Sequence, residues 1–199
     1  MEGRKINPDQ ENPIDNILIS FCDPLSEVLR RLFPWLTPNM ITTVGMLFGF
    51  LTFYFILKHD YVLAFFKFWI SYFLDCLDGY YARKYKMMTK VGDIYDHVRD
   101  VLVTGSIIIL IFMKINTAPL KAAFTIVTLF FMFVFLMHMG CQERNSKNKQ
   151  HNHSLSPLQG LCKQEEWIHQ TKYVGNGTFI LILSIFILLL CVKGKQTPA

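Results

Sequence analysis

Apolar residues gather in five long blocks, at about residues 37–57, 61–81, 92–112, 120–139 and 174–192. Each is close to the roughly 20 residues that an α-helix needs to cross a bilayer, where every backbone polar group must be bonded within its own segment. Ahead of the first block, Ile17, Leu18, Phe21, Leu25, Val28, Leu29 and Leu32 recur at helical spacing, interrupted by Asp23, Glu27, Arg30 and Arg31. That mixture predicts an amphipathic helix lying in the membrane surface, with packing on a soluble partner as the alternative. Pro34 and Pro38 bracket Trp35, an aromatic suited to interface depth. The predicted architecture is all-α: a polytopic membrane helical bundle with five clear spans and an N-terminal interfacial helix. Residues 1–16 read as a mobile polar tail, 17–36 as the interfacial helix, 37–193 as the membrane domain and 194–199 as a tail.

Composition sharpens this picture in a few places. With 52% hydrophobic residues and eighteen Phe in 199, much of the chain faces something other than water. The net charge of +5 is spread over loops, which points away from nucleic acid and toward anionic lipid headgroups. The densest basic cluster, Arg83, Lys84, Lys86 and Lys90, predicts a cytoplasmic loop by the positive-inside rule. Cys22, Cys76, Cys141, Cys162 and Cys191 are scattered and never in CxxC spacing, so they read as free thiols. The polar start predicts no cleavable signal, which leaves targeting to the first membrane helix. Lys67, inside the second block, reads as snorkelling or paired, and His138 as an interfacial polar residue. His151 and His153 make a lone HxH, too weak to carry a metal, and the sequons at Asn152 and Asn176 read as unused.

One stretch is not explained by building membrane helices. Residues 75–100 read DCLDGYYARKYKMMTKVGDIYDHVRD, where the second and third blocks meet. Ionised carboxylates at a membrane edge cost several kcal/mol each unless a cation compensates them. Asp75 and Asp78 are i, i+3 and share a helix face with Gly79 and Ala82; Asp96 and Asp100 are i, i+4 on the next helix. Two helices therefore offer two carboxylate pairs to one all-oxygen cage, suited to Mg2+, Mn2+ or Ca2+ rather than zinc. Four carboxylates suit a pair of ions that neutralises a pyrophosphate. Gly79 and Ala82 would admit a nucleotide close to the backbone, and Arg83 could reach a phosphate or a carboxylate. Acids in the first turns of a helix are also favoured by its dipole without any chemistry.

The pattern DxxDGxxAR, eight residues, GxxxDxxxD resembles that of the CDP-alcohol phosphotransferase family, with every fixed position present at the family's spacing. The run TPNMITTVG at residues 37–45 also resembles the family's entry to the first span, with Asn39 and Thr42 either site contacts or a cap and a packing position. The resemblance implies transfer of a substituted phosphate from a CDP-linked donor to a hydroxyl acceptor, with release of CMP, in phospholipid biosynthesis. It implies Asp75, Asp78, Asp96 and Asp100 as metal ligands for Mg2+ or Mn2+, two ions rather than one, with Asp100 as the base or its helper. Gly79, Ala82 and Arg83 would line the CDP site. Family members usually have six spans and commonly dimerise; here five blocks are clear, the short region 167–173 could supply a re-entrant piece, and no GxxxG-like stripe derives a homodimer.

The run GDIYDHVRD resembles the corresponding segment of choline and ethanolamine phosphotransferases, with Asp93 placed to orient His97 as a base. This favours a CDP-choline or CDP-ethanolamine donor and diacylglycerol as acceptor, in an endoplasmic reticulum-type membrane if the source is eukaryotic. Against that subtype, those enzymes are much longer, and Val98-Arg99 stands where they carry Gly-Cys. Arg99 would then meet a headgroup phosphate, as in members that use CDP-diacylglycerol with inositol or glycerol phosphate. An inactive relative serving as a membrane scaffold is the reading from outside enzymology. The intact aspartates oppose it, since they would be uncompensated charge.

Overall fold

The computed structural model describes residues 3–146 and 155–194. Among them the structure is entirely helical: α1 (Pro13–Leu32), α2 (Pro38–Leu57), α3 (Tyr61–Lys84), α4 (Lys90–Lys114), α5 (Ala118–Arg144), α6 (Ile168–Thr171) and α7 (Asn176–Gly194). Three tight 3-10 turns, Ser156–Leu161, Glu165–Trp167 and Lys172–Val174, lie between α5 and α7. His151, Asn152, His153 and the segment 195–199 fall outside the described residues.

Three segments are long and apolar enough to cross a membrane: Pro38–Leu57, Ala118–Arg144 and Glu165–Cys191. The 24-residue α3 and the 25-residue α4 match them in length, at about 1.5 Å per residue, but they carry the charged residues of the acidic stretch. Five long helices thus follow α1. Residues 167–173, read from sequence as a possible re-entrant piece, form short helical turns packed against α5.

α3 sits at the centre, flanked by α1, α2 and α7, while α4 packs on α2. Phe68 and Tyr72 of α3, Val103, Ile107 and Ile111 of α4, Phe124 of α5 and Leu183 and Ile187 of α7 form the main apolar core. Many large apolar side chains face outward, among them Leu47, Phe66, Ile109, Phe130 and Ile185, as expected where the solvent is lipid.

α1 begins four residues before the apolar period at Ile17, because Asn12 caps it and Pro13 fits the first turn. Asn12 Oδ1 accepts from the Ile14 and Asp15 amides at 3.0 and 3.4 Å. Its Nδ2 donates to Lys172 O at 2.6 Å and Thr178 Oγ1 at 2.9 Å, so the cap also fastens α1 to the start of α7. Asp15, Ile19, Cys22 and Ser26 form the buried face of α1. Ile17, Phe21, Val28 and Leu32 are exposed on the opposite side, an apolar stripe suited to the headgroup boundary.

Three expectations are corrected here. Residues 3–12 are not a loose tail: Ile6 is fully buried, Lys5 pairs with Glu143, and Gly3 O accepts from Arg83 Nε at 2.7 Å. Cys141 and Cys162 form a disulfide, leaving Cys22, Cys76 and Cys191 as free thiols. The pairing arises because α5 runs on to Arg144 and the following turn folds back across Gly140, where a methyl would meet Leu158 O at 2.2 Å. His138 is buried rather than interfacial, with Nδ1 3.1 Å from Thr171 Oγ1 and Nε2 3.1 Å from Gln142 Nε2.

Candidate active site

The second half of α3 and the first turns of α4 face each other beside the start of α2. α4 starts at Lys90, with Thr89 Oγ1 accepting from the Gly92 amide at 3.0 Å. This places Asp96 nearly two turns into α4, opposite Asp75 and Asp78 of α3. Carboxylate oxygens of Asp75, Asp78 and Asp96 lie within 4.8 Å of one another.

The four acids are held unequally. Asp78 is 3% exposed, and its Oδ2 accepts from Thr42 Oγ1 of α2 at 2.6 Å. Asp75 Oδ1 accepts from Arg99 Nη1, also at 2.6 Å. Asp96 Oδ1 is buried and has no hydrogen-bond partner among the described residues, an expensive state for a carboxylate oxygen unless a cation or water meets it. Asp100 adjoins this trio beside Asp75: its Oδ1 accepts from Arg99 Nη1 at 2.7 Å, and its side chain is partly exposed. An all-oxygen trio with an unsatisfied oxygen fits a hard divalent cation.

The acids line a cavity of about 550 Å³, large enough for a nucleotide, which Gly79, Ala82, Arg83, Gly92 and His97 also line. The Arg83 guanidinium lies against Gly79, where a methyl would come within 3.2 Å of Nη1, while Nε reaches the Gly3 carbonyl. His97 Nδ1 lies 2.5 Å from the Asp93 carbonyl and 3.8 Å from Asp93 Oδ1, so the backbone oxygen, not the carboxylate, orients the ring.

The cavity wall also contains groups that sequence reasoning missed: Lys5, Glu11, Asp15, Gln142 and Asn176. Glu11 accepts from Gln142 Nε2 at 3.0 Å, and Asp15 accepts from the Tyr72 hydroxyl. Burial raises the carboxyl of Glu11, and pushes that of Asp15 up to about 7. Asn12-Pro13, a cap followed by proline, was the local signal that α1 begins early enough to bring Asp15 here. Lys67, by contrast, stays away from the acids, its Nζ 5.4 Å from the centre of the Phe48 ring. Asn39 lies beside Gly92, whose absent methyl would meet Asn39 Oδ1 at 2.9 Å, so both polar residues of the α2 entry belong to the site.

The family model for CDP-alcohol phosphatidyltransferases matches residues 35–196, most of the chain. The chain belongs to the CDP-alcohol phosphatidyltransferase family. It is a membrane protein of a transferase family that makes phospholipids by transferring phosphate from a CDP-alcohol to an alcohol acceptor. Divalent metal use is a property of CDP-alcohol phosphatidyltransferases, and the Asp75, Asp78 and Asp96 trio is compatible with it. No curated protein and no solved structure matches the chain.

Proposed function

We propose that the protein is an active integral-membrane phosphotransferase that joins a CDP-linked aminoalcohol, choline or ethanolamine, to the hydroxyl of diacylglycerol and releases CMP. The observation that supports phosphotransfer is the meeting of Asp75, Asp78 and Asp96 on one wall of a nucleotide-sized cavity, while the aminoalcohol donor rests on the likeness of residues 92–100 to choline and ethanolamine phosphotransferases. A Mg2+ or Mn2+ ion held there would neutralise the diphosphate and offset charge on the departing CMP. Gly79 and Ala82 give the nucleotide room beside α3, and Arg83 supplies a guanidinium to its phosphates. The acceptor oxygen forms a bond to the phosphorus of the transferred group as the bond from that phosphorus to CMP breaks. Asp100, oriented by Arg99, takes the hydroxyl proton; His97 is the second candidate, with Nε2 its basic nitrogen when Nδ1–H donates to the Asp93 carbonyl. Arg99 is held among Asp75, Asp100 and Ser71, which supports a role within the acid cluster over contact with a headgroup phosphate.

The purified protein, supplied with Mg2+ or Mn2+ and labelled CDP-choline, CDP-ethanolamine or CDP-diacylglycerol, should release CMP from an aminoalcohol donor. Release should vanish in Asp78→Asn and Asp96→Asn. Consumption of CDP-diacylglycerol alone would move the protein to the phosphatidyltransferase branch, and equal turnover in wild type and both variants would leave an inactive scaffold.

The same reading places the site on the cytoplasmic face, supported by Arg83, Lys84, Lys86 and Lys90. One observation favours the opposite orientation: the Cys141–Cys162 disulfide lies at this end, and such bonds are rare in reducing compartments. Labelling of Lys86→Cys by a membrane-impermeant maleimide in sealed microsomes decides between them, modification without detergent indicating the cytoplasmic face.

A further inference from the structure

Arg99 is a resident of the acid cluster rather than a visitor. One nitrogen, Nη1, serves both Asp75 Oδ1 at 2.6 Å and Asp100 Oδ1 at 2.7 Å. The other terminal nitrogen, Nη2, donates to Ser71 O at 2.7 Å and Ser71 Oγ at 2.8 Å. Ser71 Oγ donates in turn to Gly45 O at 2.8 Å, which ties the anchor to α2. A methyl at Gly45 would come within 3.0 Å of Nη2, so α2 leaves space for the guanidinium where almost any other residue would crowd it. The side chain is 4% exposed.

We propose that Arg99 serves as the second cation of this site: the chain binds one divalent ion, at Asp75, Asp78 and Asp96, and the guanidinium replaces another ion between Asp75 and Asp100. The inference rests on reading the site as a metal-dependent phosphotransferase and departs from the two-ion expectation of the sequence. Asp75, Asp78 and Asp96 bring carboxylate oxygens within 4.8 Å of one another, while between Asp75 and Asp100 the position is taken by Arg99 Nη1. An ion bridging Asp75 and Asp100 would have to enter beside a fixed positive charge already bonded to both. With Asp100 not used as a ligand, it is left to accept a proton.

Full-length protein in lipid nanodiscs, stripped with EDTA and equilibrated with Mn2+, tests this by elemental analysis and electron paramagnetic resonance. Wild type should hold one Mn2+ per chain, with the spectrum of an isolated ion. Arg99→Gln, neutral but of similar reach, should hold two and show a spin-coupled pair. Any wild-type count other than one overturns the proposal, whether or not the variant folds, and so does a folded Arg99→Gln that still binds one. CMP release from the same preparations separates the two readings. Two ions in a wild type that releases CMP would remove the role of Arg99 alone, whereas one ion without CMP release from any donor would remove the enzymatic reading and leave the ion count standing.

Discussion

Replacing Thr42 by Val keeps the shape of the side chain and removes one hydroxyl. That hydroxyl has a single proton and two acceptors within reach, Asp78 Oδ2 at 2.6 Å and Pro38 O at 3.1 Å; the shorter contact to a carboxylate takes it. Both partners are 3% exposed, so no bulk water replaces the lost donor. A hydrogen bond to a charged group contributes roughly 1.5–3 kcal/mol, and a residue that orients a metal ligand typically changes metal affinity about 10- to 100-fold. The two ranges agree, since about 1.4 kcal/mol is tenfold. Thr42→Val should therefore raise the Mn2+ dissociation constant by about 10- to 100-fold. CMP release should fall at low Mn2+ and recover when the ion is supplied in excess. Titration of free Mn2+ by electron paramagnetic resonance reads the affinity, and circular dichroism checks that the helices persist. An unchanged dissociation constant in a folded variant would refute the assignment of Asp78 as a ligand oriented by α2.

Asp15 gives a pH prediction. Burial raises its carboxyl to about 7, against the opposing hydrogen bond from Tyr72. A folded-state pKa above the unfolded value means that the folded chain binds the extra proton, so stability is highest below about pH 4 and is lost as pH rises toward 7. Asp15→Asn still offers Tyr72 an acceptor, so its thermal midpoint should match wild type near pH 4 and exceed it increasingly up to about pH 7, with roughly 4 kcal/mol as the ceiling. A constant difference across that range would contradict the burial argument. Arg83→Gln should raise the KM for the CDP donor by at least about tenfold with Mn2+ affinity unchanged, as loss of a charged phosphate contact requires. Gly140→Val should prevent the turn Ser156–Leu161 from closing on α5, since its first added carbon would lie 2.2 Å from Leu158 O. Mass spectrometry should then find Cys141 and Cys162 reduced in a large share of the chains, while wild type stays oxidised.

What the sequence revealed was local. The long helices follow from apolar blocks of spanning length, and the acid trio from i, i+3 spacing on α3 meeting α4 across a short loop. What stayed hidden depended on the chain returning to itself. Nothing in residues 3–12 signalled that Ile6 would be buried or that Gly3 would accept from Arg83, because both partners lie far along the sequence. The disulfide needed the turn after α5 to fold back over Gly140, and burial of His138 needed Thr171 beside it. Arg99 was visible as a residue type, but its engagement with Asp75, Asp100 and Ser71 required α3 and α4 in register.

The central claim is that side chains of α3 and α4 converge on a divalent ion at the cavity wall. An anomalous difference map from crystals of the protein grown with Mn2+ and CMP tests it most directly. A peak is expected between the carboxylates of Asp75, Asp78 and Asp96, at metal to oxygen distances of about 2.0–2.3 Å. A map with Mn2+ bound elsewhere, or with those three carboxylates turned away from a common ion, would contradict it.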